Sequence, residues 1–273
     1  MRTQRIVNNI MAIIAWLASL VILAPLAFIV INSLKTFQEV AFMDFSLPAV
    51  PQWENFLIAF NEARVLRTML NSLFISSTSA LISLIVSAMA AFVLSRRTGK
   101  VSKRIYYYFL IGLLAPYNIV TTIRVLQATN MMGTYQGLIV LLSALLIPFS
   151  IFFMYAFMKT VPVEIDEAAV IDGANPIALF VYIILPVMMP IIVTIAMINF
   201  MNAWNDFMLP LYILGDSRRW PMVLGIFNFF SFHITRWQVI FANIILTLLP
   251  VFIVYVTCQK FIISGMVSGS IKG

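Results

Sequence analysis

Residues 10–31 read IMAIIAWLASLVILAPLAFIVI, a run without a single Asp, Glu, Lys or Arg. About 20 consecutive apolar residues is what a helix needs to cross the hydrocarbon of a bilayer. Arg2 and Arg5 precede the run as in a secretory signal, but it outlasts an h-region and reads as an uncleaved signal anchor. Further apolar runs at 68–94, 105–123, 135–158, 184–207 and 239–258 give six expected spans. The chain's 273 residues are 62% hydrophobic and 10% charged, and the mean hydropathy is +1.02. A soluble domain carries about 25% charged residues, so lipid must be the solvent for much of this surface. Only helices and closed barrels satisfy their backbone in hydrocarbon, and no ten-residue alternation marks a barrel. The expected fold is all-α: a polytopic membrane helix bundle of about six transmembrane helices. It forms one domain over 1–273, with its core at 68–260.

The net charge of +7 sits beside the apolar runs. It therefore reads as topology, with no nucleic acid implied. Arg96, Arg97, Lys100, Lys103 and Arg104 crowd the loop after the second run and assign it to the cytoplasm. An even number of crossings then puts both termini inside. Segments 32–67, 124–134 and 208–238 fall outside. Pro48, Pro51 and Trp53 suit a segment lying on the outer membrane face, followed by the one-sided Asn55–Ala63. The stretch Gly215–Trp237, with the sole histidine His233, reads as an outer loop, solvated or meeting a partner. Cys258, the only cysteine, excludes an intrachain disulfide. Ser79, Ser83, Ser87 and Ala91 recur at spacing four, as helix packing or a lining surface would require.

Residues 159–186, KTVPVEIDEAAVIDGANPIALFVYIILP, form the longest inner connection. Pro162 suits a first helical position, with Glu164, Asp166 and Glu167 favourable against the helix dipole in the first turns. Gly173 suits a left-handed C-cap, and Asn175 followed by Pro176 starts a second helix. The pattern predicts an elbow: a helix at about 162–172, a turn at 173–175, then a helix into the fifth span. Ala168 and Ala169 allow close backbone approach, and Glu167 and Asp172 offer charged hydrogen bonds to a partner. A capped interfacial helix with its acids in water would read the same way.

The stretch EAAVIDGA (167–174), with Ile184, Leu185 and Pro186 beyond it, resembles the EAA signature of ABC importer permeases. INSLKT (31–36), NSLFIS (71–76), WNDFMLPL (204–211) and GMVSGSIKG (265–273) extend the resemblance over nearly the whole chain. They point to the carbohydrate-type permeases, specifically the maltose-permease-like second subunit. The resemblance implies a type I importer permease architecture in a bacterial or archaeal cytoplasmic membrane. In that family the EAA helix, as a cytoplasmic coupling helix within 159–184, docks on the nucleotide-binding subunit. Glu167, Ala168, Ala169, Asp172, Gly173 and Ala174 would make that contact. The tail Ser268, Gly269, Ser270, Ile271, Lys272 and Gly273 would reach the ATPase dimer, with Ser270 where the family often has Ala. The implied assembly adds a second permease, two ATPase subunits and an extracytoplasmic solute-binding protein. Sugar would be the cargo, and ATP and Mg would be bound only on the ATPases.

This chain lacks a G-x-x-x-x-G-K-[ST] loop, so it has no phosphate cradle of that kind. Asn199, Asn202 and Asp206, spaced three and four apart, are candidates for the solute path or for hydrogen bonds between helices. Asn118 and Asn243 are weaker candidates of the same kind. Pro186, Pro190 and Pro250 are places where spans could kink. A polyol or glycerol phosphate is the alternative cargo. A secondary transporter is the remoter reading, disfavoured by spans nearly free of ionisable residues and without paired broken helices. No H-E-x-x-H or G-x-S-x-G argues for an intramembrane enzyme.

Overall fold

The computed structural model describes residues 2–229 and 235–270, and every regular element among them is helical. The long helices are α1 (Arg2–Ser33), α4 (Val65–Arg96), α7 (Tyr135–Met158) and α12 (Trp237–Ser270). Shorter ones are α2 (Phe37–Val40), α3 (Glu54–Glu62), α5 (Lys100–Leu114), α6 (Ile119–Ala128) and α8 (Glu164–Ile171). Three more follow: α9 (Pro176–Val187), α10 (Met189–Asn205) and α11 (Met208–Ile213). Among the described residues four helices are long and apolar enough to cross a membrane, or up to six if each of two bent pairs counts as one span.

Those bends correct the expectation of no paired broken helices. The chain bends by 116° between α5 and α6, and by 76° between α9 and α10. Proline explains both. Ala115 precedes Pro116, is driven out of the helical region, and sits at ψ 121°. The side chain of Asn118 then restarts the chain as α6, accepting from the amides of Val120 and Thr121 at 2.9 and 3.2 Å. Between α9 and α10 the break falls at Met188, flanked by Pro186 and Pro190, neither of which has an N–H to give to the carbonyl four residues back. The preceding turn, Leu179–Ile184, is wound as a π-helix, and Leu185 N–H bonds to Phe180 O. Pro250, by contrast, lies inside the single helix α12.

The chain forms two compact units. One comprises residues 1–67 and 225–250, the other residues 68–224 and 251–273. In the first, no residue of the most apolar 18-residue stretch of α1 is buried, so lipid or another subunit must cover it. Beyond α1 the chain is tied in a polar knot. The Asn55 amide donates to the carbonyls of Ser33 and Lys35, both at 2.9 Å. Thr36 and Glu39 form a reciprocal capping box. Lys35 is fully buried and donates to the Asp44 carbonyl at 3.0 Å and to its carboxylate. Arg236 pairs with Glu62 at the end of α3.

In the second unit α4 lies against α7 along its small residues. Ser79, Ser83 and Ser87 are fully buried, and Ser143 Oγ donates to Ser79 O at 3.2 Å. Packing is therefore the role of the serine stripe, since hydroxyls and small side chains let helices approach closely in lipid. Tyr106 of α5 stacks on Tyr155 of α7 at 4.1 Å. The stretch 215–222 is clamped rather than slack. Asn71 donates to the carbonyls of Arg218 and Trp220 at 3.1 and 3.0 Å, and accepts from the Tyr135 hydroxyl at 2.9 Å. His233 lies outside the described residues.

Candidate functional site

The elbow begins where α7 ends. Five residues, Lys159 to Val163, turn the chain into α8, which starts at Glu164. Pro162 therefore precedes the helix instead of opening it, and Val163 is the N-cap. Glu164, Asp166 and Glu167 still fall in the first turn, where the helix dipole favours acids. At the far end Gly173 has φ +87°, a conformation glycine adopts without the Cβ clash of other residues. Ala174 N–H reaches back to Ala169 O at 2.9 Å, closing the helix in the manner of a Schellman motif. The Asn175 side chain then accepts from Ala178 N–H at 2.8 Å, and Pro176 opens α9. These local signals form the turn; packing aims it.

One face of α8 belongs to the bundle. Ala169 is buried in a cluster with Met154, Met158, Val161, Leu179, Ile184 and Met188. Three residues earlier on the same face, Asp166 meets the guanidinium of Arg96, the last residue of α4. Arg96 Nε donates to Asp166 Oδ2 at 2.7 Å and Nη2 to Oδ1 at 3.0 Å, a bidentate fork. Nη1 also donates to the carbonyls of Val161 and Met158 at 3.0 and 3.3 Å. Both side chains of the pair are largely shielded from solvent. Beside them Lys159 Nζ donates to Ser95 O at 2.7 Å.

The other face is open. Glu164, Glu167, Ala168, Ile171, Asp172 and Gly173 are exposed, and Ile171 keeps 84% of its surface. Of the six coupling candidates, Glu167, Ala168, Asp172 and Gly173 thus share one accessible side. Ala174 is half-buried and Ala169 faces inward. An exposed isoleucine flanked by carboxylates, on a helix fixed from behind, can seat in a partner's cleft with an apolar centre and a charged rim.

Sequence reasoning missed the roles of Arg96 and Asp166. Arg96 was legible only as part of a basic loop and Asp166 only as a first-turn acid. A usable signal was present: Asp166 and Ala169, at spacing three, share a helical face opposite Glu167, Ala168 and Ile171. A carboxylate on an inward face requires a cation.

The candidate path residues are not brought to a common environment. Asn199 is fully buried, donating from Nδ2 to Ser150 Oγ at 2.8 Å and Ser83 Oγ at 3.2 Å. Its Oδ1 has no partner among the described residues. Asn202 is exposed, and Asp206, just before the N-cap Phe207, accepts from Leu209 N–H in the first turn of α11 at 2.9 Å. Asn118 is a helix cap, and Asn243 is buried in the other unit. In the tail, Ser268, Gly269 and Ser270 close the backbone of α12, while Ile271, Lys272 and Gly273 lie outside the described residues.

Residues 83–267 match the family described as Binding-protein-dependent transport system inner membrane component. The diacetylchitobiose uptake system permease protein NgcG of Streptomyces coelicolor is 31% identical over 95% of this chain and 87% of its own length. The probable starch degradation products transport system permease protein AmyC of Thermoanaerobacterium thermosulfurigenes is 29% identical over the full length of both chains. A chain from the crystal structure of a bacterial ABC transporter that imports the acidic polysaccharide alginate superposes with a TM-score of 0.84. That match covers 95% of this chain and 98% of the other, at 18% identity, and it shows a shared fold.

The chain belongs to the binding-protein-dependent transport system inner membrane component family. It is a membrane-embedded permease subunit of an ABC importer, and a transport subunit rather than an enzyme.

Proposed function

We propose that this chain is one of two permease subunits of an ATP-driven importer, and that together they form the path for a sugar or oligosaccharide. An extracytoplasmic binding protein delivers the cargo, and two separate ATPase subunits bind ATP and Mg. The carbohydrate class is supported by relatives whose names specify diacetylchitobiose, starch degradation products and melibiose, raffinose and stachyose. A polyol or glycerol phosphate is the substitute cargo.

The observation that carries the ATPase contact is the two-faced α8. Its inner side is committed to the bundle, while Glu167, Ala168, Ile171, Asp172 and Gly173 stand free. The chain crosses the membrane six times, with the basic loop at 96–104, the elbow and both termini in the cytoplasm. ATP binding draws the ATPases together, α8 moves with them, and the bundle turns from inward- to outward-facing. Such coupling requires two global states to which the ligands bind with different affinity. The tail at 268–273 adds a second contact with the ATPases. Asn202 and Asp206 face the solute path.

The test is uptake into proteoliposomes holding the complete complex, with labelled malto-, chito- and raffinose-series oligosaccharides and glycerol 3-phosphate supplied in turn. Uptake should require the ATPase subunits and hydrolysable ATP. Glu167→Lys should abolish it while leaving the chain inserted. Uptake that persists without ATPase subunits overturns the reading.

A further inference from the structure

The Arg96 guanidinium joins three helix ends. It terminates α4, hydrogen-bonds the carbonyls of Met158 and Val161 just where α7 runs out, and grips Asp166 in the first turn of α8. The last carbonyls of a helix have no partner within it, so Arg96 satisfies groups that water or a cap would otherwise serve. A fork-to-fork guanidinium–carboxylate contact also fixes orientation, which a point charge does not. Lys159 adds a second tie across the same seam, from the start of the elbow to the Ser95 carbonyl. Ala169, one turn beyond Asp166 on the same face, is buried in the cluster that holds Met154, Met158 and Ile184. The back of α8 is thus held by an ion pair and by buried apolar packing. At its other end the connection to α9 runs through Gly173, whose Cβ position faces open space, and a short turn to Asn175.

We infer that the Arg96–Asp166 pair is a latch that makes α8 one rigid body with the ends of α4 and α7. A displacement applied to the exposed face of α8 then reaches α4 directly, the helix whose serine stripe is buried along α7, instead of being absorbed at the elbow. Arg96 and Asp166 act as positioning residues and touch neither ATP nor cargo. The inference rests on the reading of α8 as the ATPase contact.

Two measurements on the assembled complex test it. In a Cys258→Ser background, spin labels are placed at exposed positions on either side of the seam, Arg97→Cys after α4 and Glu164→Cys on α8. The distance between them should be the same without nucleotide and with ATP bound, and should shift or broaden on ATP binding once Asp166→Asn is added. A distance that changes with ATP in the otherwise unaltered pair overturns the latch. The second measurement is cargo imported per ATP hydrolysed, with the oligosaccharide panel as probe. Asp166→Asn should lower this ratio about tenfold, within the range by which residues away from both ligands alter coupling, with ATPase subunits still bound. Arg96→Lys should behave likewise, because it keeps the charge and loses the fork. The reversed pair Arg96→Asp with Asp166→Arg should recover part of the ratio. If Asp166→Asn fails to insert, the reversed pair decides: insertion recovered without any recovery of the ratio refutes the latch. Loss of bound ATPase in step with loss of uptake also refutes it, because that marks a merely structural role. Failure of the ATPase reading itself would look different, with no ATP-dependent uptake in the unaltered complex.

Discussion

Ala168 and Ala169 are neighbours in the chain and differ in surroundings: Ala168 is exposed on the outer side of α8, while Ala169 is buried in the cluster that holds Met154 and Met158. Substitutions at the two sites should therefore separate docking from folding. Ala169→Leu overfills a packed site and should destabilise the chain by about 1–3 kcal/mol, read as a lower Tm in detergent. Ala168→Arg should leave Tm unchanged and abolish co-purification of the ATPase subunits. A Tm loss at Ala168 matching that at Ala169 would show that the outer side is not free.

Gly173 is a docking-side position with a conformational demand. Its φ of +87° is costly for any residue with a Cβ, by about 1 kcal/mol or more. Gly173→Asn should be milder than Gly173→Val, since asparagine visits left-handed conformations and β-branched residues do not. Uptake rate relative to the amount of inserted protein is the measurement. Equal effects of the two would mean that backbone conformation is not what this glycine supplies.

Lys35 is buried, and Asp44 is its counter-ion. The hydrogen bond from Lys35 holds the Asp44 carboxyl down at about 2, below its usual 3.8, with the Ser46 hydroxyl assisting. A carboxyl depressed in the folded state stabilises the fold above its unfolded value and loses that contribution as pH falls through the folded value. Unfolding temperature should thus decline between about pH 4 and pH 2, and Asp44→Asn should flatten that part of the profile. Lys35→Met, which removes the buried charge together with its demand for a partner, should tolerate Asp44→Asn better than the parent does. An unchanged acid limb in Asp44→Asn would show that the pair does not govern this pH response.

Asn199 ties three helices through Ser83 and Ser150, whereas Asn202 is exposed one turn further on. Asn199→Ala should cost about 1 kcal/mol of stability, the scale of polar contacts between membrane helices. The KM for uptake should be unaltered. Asn202→Ala should leave Tm alone and raise KM if Asn202 lines the solute path. A KM change confined to Asn199→Ala would reverse the two roles.

Asn71 and Tyr135 anchor the 215–222 stretch to the starts of α4 and α7. Asn71→Ala leaves the carbonyls of Arg218 and Trp220 without that donor. It should increase proteolysis within 215–222 by about tenfold, corresponding to about 1.4 kcal/mol of local opening. Cleavage unchanged from the parent would mean that other contacts hold the segment.

The amino-acid order alone was sufficient for the membrane character, the helical class, the positions of α1, α4, α7 and α12, and the shape of the elbow. Each depends on near-neighbour physics: the length of an apolar run, the proline and asparagine that open a helix, the glycine that closes one. The bend near Pro186 and Pro190 was only half visible and the one at Pro116 was missed, because proline marks where a helix is weakened and packing decides whether it breaks; Pro250 does not break α12. Which side of α8 is free, that Asp166 serves Arg96 rather than solvent, and that Asn199 knits the bundle while Asn202 does not, were decided by tertiary structure. Those partners stand 70, 49 and 116 residues apart in the chain. No local periodicity encodes a contact at such separations, and burial converts it from a solvated side chain into a structural tie.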